Sequence, residues 1–216
     1  MNASKKYQII WWGTAGCGSR STGEFLRSCG LDDLYNHEVG CKVGDCAFTH
    51  TQGIPKECKG YTIICTTRNP YSRTISSYLD EKVQYGNGDD SYTFEYWFKN
   101  VYMAPNRYPT FYADFYMGEW DIIGRKPDYY LKIEDLPGTL RNIPDLEGLT
   151  INENAISSYA EGNPHRYENV HDEYIGRFQN IKKYYTQELA DMVYDVLEEY
   201  FIFFNYDKDS WKTNAM

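Results

Sequence analysis

The feature that most restricts how this chain can fold is a strand-forming run that stops abruptly in glycine. Tyr7-Gln8-Ile9-Ile10-Trp11-Trp12 is apolar and β-rich, Gly13, Gly16 and Gly18 follow it, and a helical pattern takes over near Ser19. Strand, glycine loop and helix in that order predict the start of a β–α unit. Tyr61-Thr62-Ile63-Ile64-Cys65-Thr66-Thr67 is a second buried-looking strand that ends at Arg68-Asn69-Pro70, and Tyr71 to Lys82 then has helical spacing. Tyr129-Tyr130-Leu131-Lys132-Ile133 is a third, running into Glu134-Asp135-Leu136-Pro137. Strands interleaved with helices predict an α/β fold, a P-loop-like three-layer domain with a central, mostly parallel sheet flanked by helices. Its ligands are expected beyond the carboxyl ends of the strands. With 216 residues, 42% of them hydrophobic, one sizeable core is affordable, and a single domain over residues 1–216 is expected.

Near the C-terminus, Leu189, Met192, Val193, Val196, Leu197, Tyr200, Phe201 and Phe204 recur at the spacing of an amphipathic helix, with Thr186 as its N-cap. That helix reads as scaffold. The aromatic stretch from Tyr92 to Tyr130 reads as helix plus irregular loop whose rings serve packing, with contact to the acceptor as the alternative.

A formal charge of -9 argues against general nucleic-acid binding, which needs clustered cations to displace counterions, so any bound anion must be held by a local site. The first residues carry two lysines and a short apolar run without a cleavage-like site, and no segment approaches the length of a membrane span. A cytoplasmic protein with no membrane span is the expectation. The six cysteines, Cys17, Cys29, Cys41, Cys46, Cys58 and Cys65, then read as free thiols. Cys41 and Cys46 lack a CxxC partner, so no metal site is expected.

The glycine loop suits an anion. Without side chains in the way, backbone N–H groups converge on a phosphate, and the helix behind them adds its positive end. Gly13-Thr14-Ala15-Gly16-Cys17-Gly18 begins like a nucleotide-binding P-loop, but Ser19-Arg20 stands where that loop carries Lys-Ser/Thr. The second strand ends in Thr66-Thr67-Arg68, with no carboxylate for magnesium. A kinase-like nucleotide phosphotransferase is therefore the weaker reading, and a non-catalytic module binding adenosine phosphates or sulfated glycans is another. Arg68 stands at a strand end and Ser76 eight residues on, roughly two helical turns away, so a cation and a hydroxyl are available to one anion. The bland reading is an arginine capping a surface turn.

Taken together, these segments resemble the sulfotransferases that use 3′-phosphoadenosine 5′-phosphosulfate (PAPS), especially the carbohydrate-acting branch. Their 3′-phosphate motif, Arg-Asp/Asn-Pro-x-x-Arg-x-x-Ser-x-Tyr, is matched at every defined position by Arg68 to Tyr78. Their 5′-phosphosulfate loop is similar to Gly16-Cys17-Gly18-Ser19-Arg20-Ser21, with Thr22 following. Ile133-Glu134-Asp135-Leu136 and the closing Tyr184-Tyr185-Thr186 and Phe204-Asn205-Tyr206-Asp207 are also like the family's. The resemblance extends from about residue 7 to residue 207, except that residues 84 to 128 do not align. It implies binding of PAPS, release of the 3′,5′-bisphosphate (PAP), a hydroxyl acceptor of carbohydrate type, and no metal. It also implies that Gly16, Cys17, Gly18, Ser19, Arg20, Ser21, Thr22, Arg68 and Ser76 hold the nucleotide. The family's usual Lys or Arg two residues before the loop glycine is Gly16 here, and Arg20 is the candidate for the missing charge.

Sulfuryl transfer also calls for a base to take the hydroxyl proton. On a helix beginning near Ser19, residues Arg20, Ser21, Glu24, Arg27 and Ser28 share a polar side and Thr22, Phe25, Leu26 and Cys29 an apolar one. Several sulfotransferases that this chain resembles place the catalytic glutamate six residues after the loop glycine, the spacing from Gly18 to Glu24. The alternative for Glu24 is a helix-surface residue paired with Arg20 or Arg27. His50 is the rival base, because other carbohydrate sulfotransferases use a histidine. The acceptor itself is not fixed by these residues: sugar, lipid headgroup, small alcohol and peptide tyrosine are all compatible with them.

Overall fold

The computed structural model describes residues 2–13, 17–31, 33, 35–36, 41–42, 58–85, 91–104, 126–146, 148–152 and 181–213. The chain divides into two compact units. One comprises Met1–Arg68 and Gly118–Ala160, the other Asn69–Met117 and Glu161–Met216.

The first unit is an α/β sandwich built on a mixed sheet. Strands β1 (Asn2–Ser4), β2 (Ile9–Trp12), β3 (Tyr35–Asn36), β4 (Cys41–Lys42), β5 (Thr62–Thr67) and β6 (Tyr129–Lys132) lie in the order β4-β3-β1-β2-β5-β6. β2, β5 and β6 are parallel, with Ile9 opposite Thr62 and Ile64 opposite Tyr129. These are the three strands that the apolar runs predict. β1, β3 and β4 extend the sheet by antiparallel pairings, Ala3 facing both Ile10 and Tyr35.

The Ile-Ile-Trp-Trp run of β2 is apolar at every position because both faces of the sheet are covered, as parallel strands require. Ile9 and Trp11 point to one side, where Phe25, Leu26 and Cys29 of helix α1 (Ser19–Ser28) join Ile64, Leu131, Leu136 and Leu140 in a core. Ile10 and Trp12 point to the other, with Ala3, Cys58, Ile63 and Cys65. Each such buried side chain contributes about 1.5–3 kcal/mol. After β6 a 3₁₀ turn (Ile133–Asp135) leads into α4 (Leu136–Arg141), whose N-cap Asp135 accepts from the Gly138 amide. Cys17, Cys29, Cys58 and Cys65 are buried.

The second unit is helical. It contains α2 (Pro70–Tyr85), the short α3 (Phe94–Trp97) with a π turn (Phe98–Tyr102), a 3₁₀ turn at Ile181–Tyr184, α5 (Gln187–Phe204) and a closing 3₁₀ turn at Ser210–Lys212. Thr186 caps α5 by accepting from the Leu189 amide, as its sequence position predicts, and Asn205 ends the helix in the left-handed conformation. Among the described aromatic residues, Tyr78 lies against Phe94 and Trp97, and Tyr71 lies edge-on to Tyr185 and Phe201; residues 105–125 of the aromatic stretch lie outside the described residues. Among the described residues no helix is long and apolar enough to cross a membrane.

Candidate functional site

Because β2, β5 and β6 run parallel, their carboxyl ends share one edge of the sheet. Trp12 is level with Cys65, and Thr67 with Lys132. The glycine loop, Arg68 and the Ile133–Asp135 turn therefore all leave from that edge, where open α/β sheets place their ligands.

Gly18 sits at the hinge between loop and helix, in the left-handed region with φ 60 and ψ 38. The backbone conformation there favours glycine: a side chain would be strained at that φ, and a Cβ would also push aside Cδ1 of Ile133, the end of a flexible side chain that comes in from the end of β6.

The helix begins without a cap. Gly18 offers no side-chain acceptor, and no acidic residue occupies the first turn. The first helical bond is from the Thr22 amide to Gly18 O at 2.9 Å, so the amides of Ser19, Arg20 and Ser21 have no acceptor within the helix. An uncapped first turn carries partial positive charge and attracts anions. The side chains of Ser19, Arg20 and Ser21 lie outside the described residues, as do Gly16 and His50.

The faces of α1 divide as the sequence predicts. Thr22, Phe25, Leu26 and Cys29 are buried, and Ser28 is exposed. Thr22 stands with the core rather than with the loop: it is 0% exposed, its amide is used by Gly18, and its hydroxyl has no hydrogen-bond partner among the described residues. Cys17, in the loop itself, is also fully buried. Glu24 is half-buried, and its Oε2 is shielded from solvent with no hydrogen-bond partner among the described residues.

Arg68 ends the first unit directly after β5 and is 3% exposed, so it is not a surface cap. Ser76 belongs to α2 in the second unit and is 4% exposed. Sequence reasoning gave no separate role to Arg73, which is buried still more deeply, at 2%. Ser72, Arg73, Ser76 and Ser77 are all buried and share one side of α2, so that side is polar and yet shielded. The signal was present in the sequence as Ser-Arg-x-x-Ser-Ser, which at helical spacing makes a polar stripe. A buried guanidinium is costly unless an anion or a ring offsets it.

The start of α2 is tied down within the second unit. Asn69 Oδ1 accepts from the Tyr71 amide (3.0 Å) and Asn69 Nδ2 donates to Ser210 Oγ (2.8 Å). The Tyr71 hydroxyl donates to Lys208 O (2.7 Å), and the Tyr185 hydroxyl donates to Tyr71 O (2.9 Å). Burial, with Asp191, Asp209 and Asp207 adding to it, holds the Tyr71 phenol protonated far above its ordinary range; burial, with Tyr71 adding to it, does the same for Tyr185. Among the described residues there is no group of three or more metal-ligating side chains.

Comparison of the chain with protein-family models, with curated proteins and with solved structures finds no match in any of the three.

Proposed function

We propose that this chain is a sulfotransferase that moves the sulfuryl group of PAPS to an acceptor hydroxyl of carbohydrate type, on a P-loop-like fold. The observation that carries the reading is the uncapped N-terminus of α1 behind a positive-φ Gly18, opening at the same sheet edge from which Arg68 leaves. That combination favours a ligand with phosphate at two places, as adenosine 3′-phosphate 5′-phosphosulfate has, over one with a single phosphate chain.

In this reading the amides of Ser19 to Ser21 hold the 5′ end, and Arg68 holds the 3′-phosphate by charge-assisted hydrogen bonds. PAPS supplies an activated sulfuryl group whose bond to the bridging phosphate oxygen breaks as the acceptor oxygen bonds to sulfur. Glu24 takes the proton that the acceptor hydroxyl loses; its Oε2 has no hydrogen-bond partner among the described residues. The developing charge on the departing phosphate is met by the amides of Ser19 to Ser21 at the start of α1.

Isothermal titration with adenosine 3′,5′-bisphosphate, ATP with magnesium, and a sulfated oligosaccharide separates this reading from its rivals. The bisphosphate should bind in the presence of a chelator and more tightly than the other two. Preferential binding of ATP with magnesium would support a kinase-like enzyme instead, and binding of the oligosaccharide alone a non-catalytic module.

A further inference from the structure

The last turn of α5 breaks the rule that a surface helix keeps its outer side polar. Leu197, Tyr200 and Phe201 are buried, yet Ile202 is 68% exposed and its neighbour Phe203 38%. Large apolar side chains exposed side by side mark a surface that binds something.

The polar residues around this pair all have one sign. After the break in helical geometry at Leu197, Glu198 precedes Ile202 by four residues and Glu199 precedes Phe203 by four. Each of these exposed carboxylates therefore stands one turn from an exposed apolar side chain on the same side of the helix. Asp195 adds another exposed carboxylate about a turn earlier. Nearer the start of α5 the acids are neutralised, Glu188 by Lys99 at 3.1 Å and Asp191 by Lys208 at 3.5 Å. Asp195, Glu198 and Glu199 have no cation at ion-pair distance among the described residues. The last turn, where the helix end is itself negative, contains no basic residue.

Uncovered apolar area beside unneutralised negative charge narrows what can cover it. A second copy of this chain would bring the same carboxylates to the contact, and like charges facing each other across an interface are costly. A lipid surface with negative headgroups is repelled in the same way. A protein segment with Lys or Arg one turn from Leu or Phe satisfies both features, cation against carboxylate and apolar side chain against Ile202 and Phe203.

We infer that the end of α5 is a docking surface for a basic amphipathic segment of another protein, seated on Ile202 and Phe203 and oriented by Asp195, Glu198 and Glu199. The surface lies entirely within the second unit and does not depend on the reading of the chain as a sulfotransferase.

The probe is a synthetic amphipathic helix of about 14 residues made of Leu and Lys, with a Ser and Lys peptide of equal charge beside it. Both are titrated into full-length wild type, Ile202→Ser and the double variant Glu198→Lys, Glu199→Lys at about 0.15 M salt, where long-range attraction is screened. The Leu and Lys peptide should bind wild type and lose about tenfold in affinity in each variant, and the Ser and Lys peptide should bind wild type about tenfold more weakly. Melting temperatures should stay at the wild-type value because the replaced side chains are exposed; if Ile202→Ser melts early, Ile202→Thr repeats the apolar test. No binding of the Leu and Lys peptide, equal binding to wild type and variants, or equal binding of the two peptides would overturn the inference. Sedimentation of wild type and flotation with phosphatidylserine vesicles cover the other occupants. Self-association or vesicle binding that Ile202→Ser abolishes would assign the surface to a second copy or to lipid, and either result overturns the inference as well.

Discussion

Replacing Gly18 by alanine tests the geometry at the root of the site, and its cost can be worked out from the structure. Alanine at φ 60 and ψ 38 carries the strain of the left-handed region, about 1–2 kcal/mol. Its Cβ would also push aside Cδ1 of Ile133, and turning that side-chain end off its rotamer costs about 0.5–1.5 kcal/mol. The two add to about 1.5–3.5 kcal/mol. In a chain of this size each kcal/mol moves the melting temperature by roughly 2–4 °C, so Gly18→Ala should melt about 3–14 °C below wild type. Ile133→Val supplies the control, because valine lacks the very methyl that the new Cβ would strike. Alone it should cost about 0.5–1.5 kcal/mol. In its presence Gly18→Ala should cost only the backbone strain, so a double-mutant cycle should show coupling of about 0.5–1.5 kcal/mol. Additive single costs would mean that Ile133 does not close over Gly18, and an alanine variant that melts with wild type would refute the whole account of the hinge.

Other consequences are read with other assays. Arg68→Ala should weaken adenosine 3′,5′-bisphosphate by about 2 kcal/mol or more while barely changing AMP, and equal losses for both would make the arginine structural. Glu24→Gln should lower turnover about a hundredfold to ten-thousandfold with bisphosphate affinity and melting temperature nearly unchanged; near-normal turnover in that variant together with its loss in His50→Ala would move the base to His50. The raised phenols of Tyr71 and Tyr185 predict alkaline instability. The folded chain keeps protons there that the unfolded chain gives up near the ordinary value of 10.0, so their stabilising contribution is whole below that pH and declines above it. Melting temperature should fall less steeply above that pH in Tyr71→Phe than in wild type, and identical slopes would show that the phenol does not carry the effect.

The parts of the fold legible from the sequence are those whose pattern is local. β2, β5 and β6 announce themselves as apolar runs because both faces are covered, α5 announces its start at Thr186, and the two faces of α1 follow from helical spacing alone. β1 was not legible: Asn2-Ala3-Ser4 has no strand-forming character, and it is a strand only because β2 and β3 offer edges to pair with. The lysines that follow it draw attention to the chain end and away from the pairing. Within the candidate site, Gly18 and Arg68 were visible as a loop glycine and a strand-end cation. What could not be read was why they are held as they are. Ile133 over Gly18 and Ser210 on Asn69 are contacts between distant parts of the chain, and no local periodicity encodes them. Likewise, helical spacing shows that Ser72, Arg73, Ser76 and Ser77 share a side of α2, while their burial comes from what the fold lays against that side.

The proposed sulfuryl transfer, which needs no metal, is read from the transfer itself. Purified chain incubated with sulfur-labelled PAPS and a panel of sugar, lipid, small-alcohol and tyrosine-peptide hydroxyls, with a chelator present, should label at least one acceptor and release PAP in equal amount, with sugars labelled fastest. The Glu24→Gln variant should bind PAP and leave the panel unlabelled. A chain that labels nothing and does not bind PAP, or one that becomes active only with ATP and magnesium, would contradict the account.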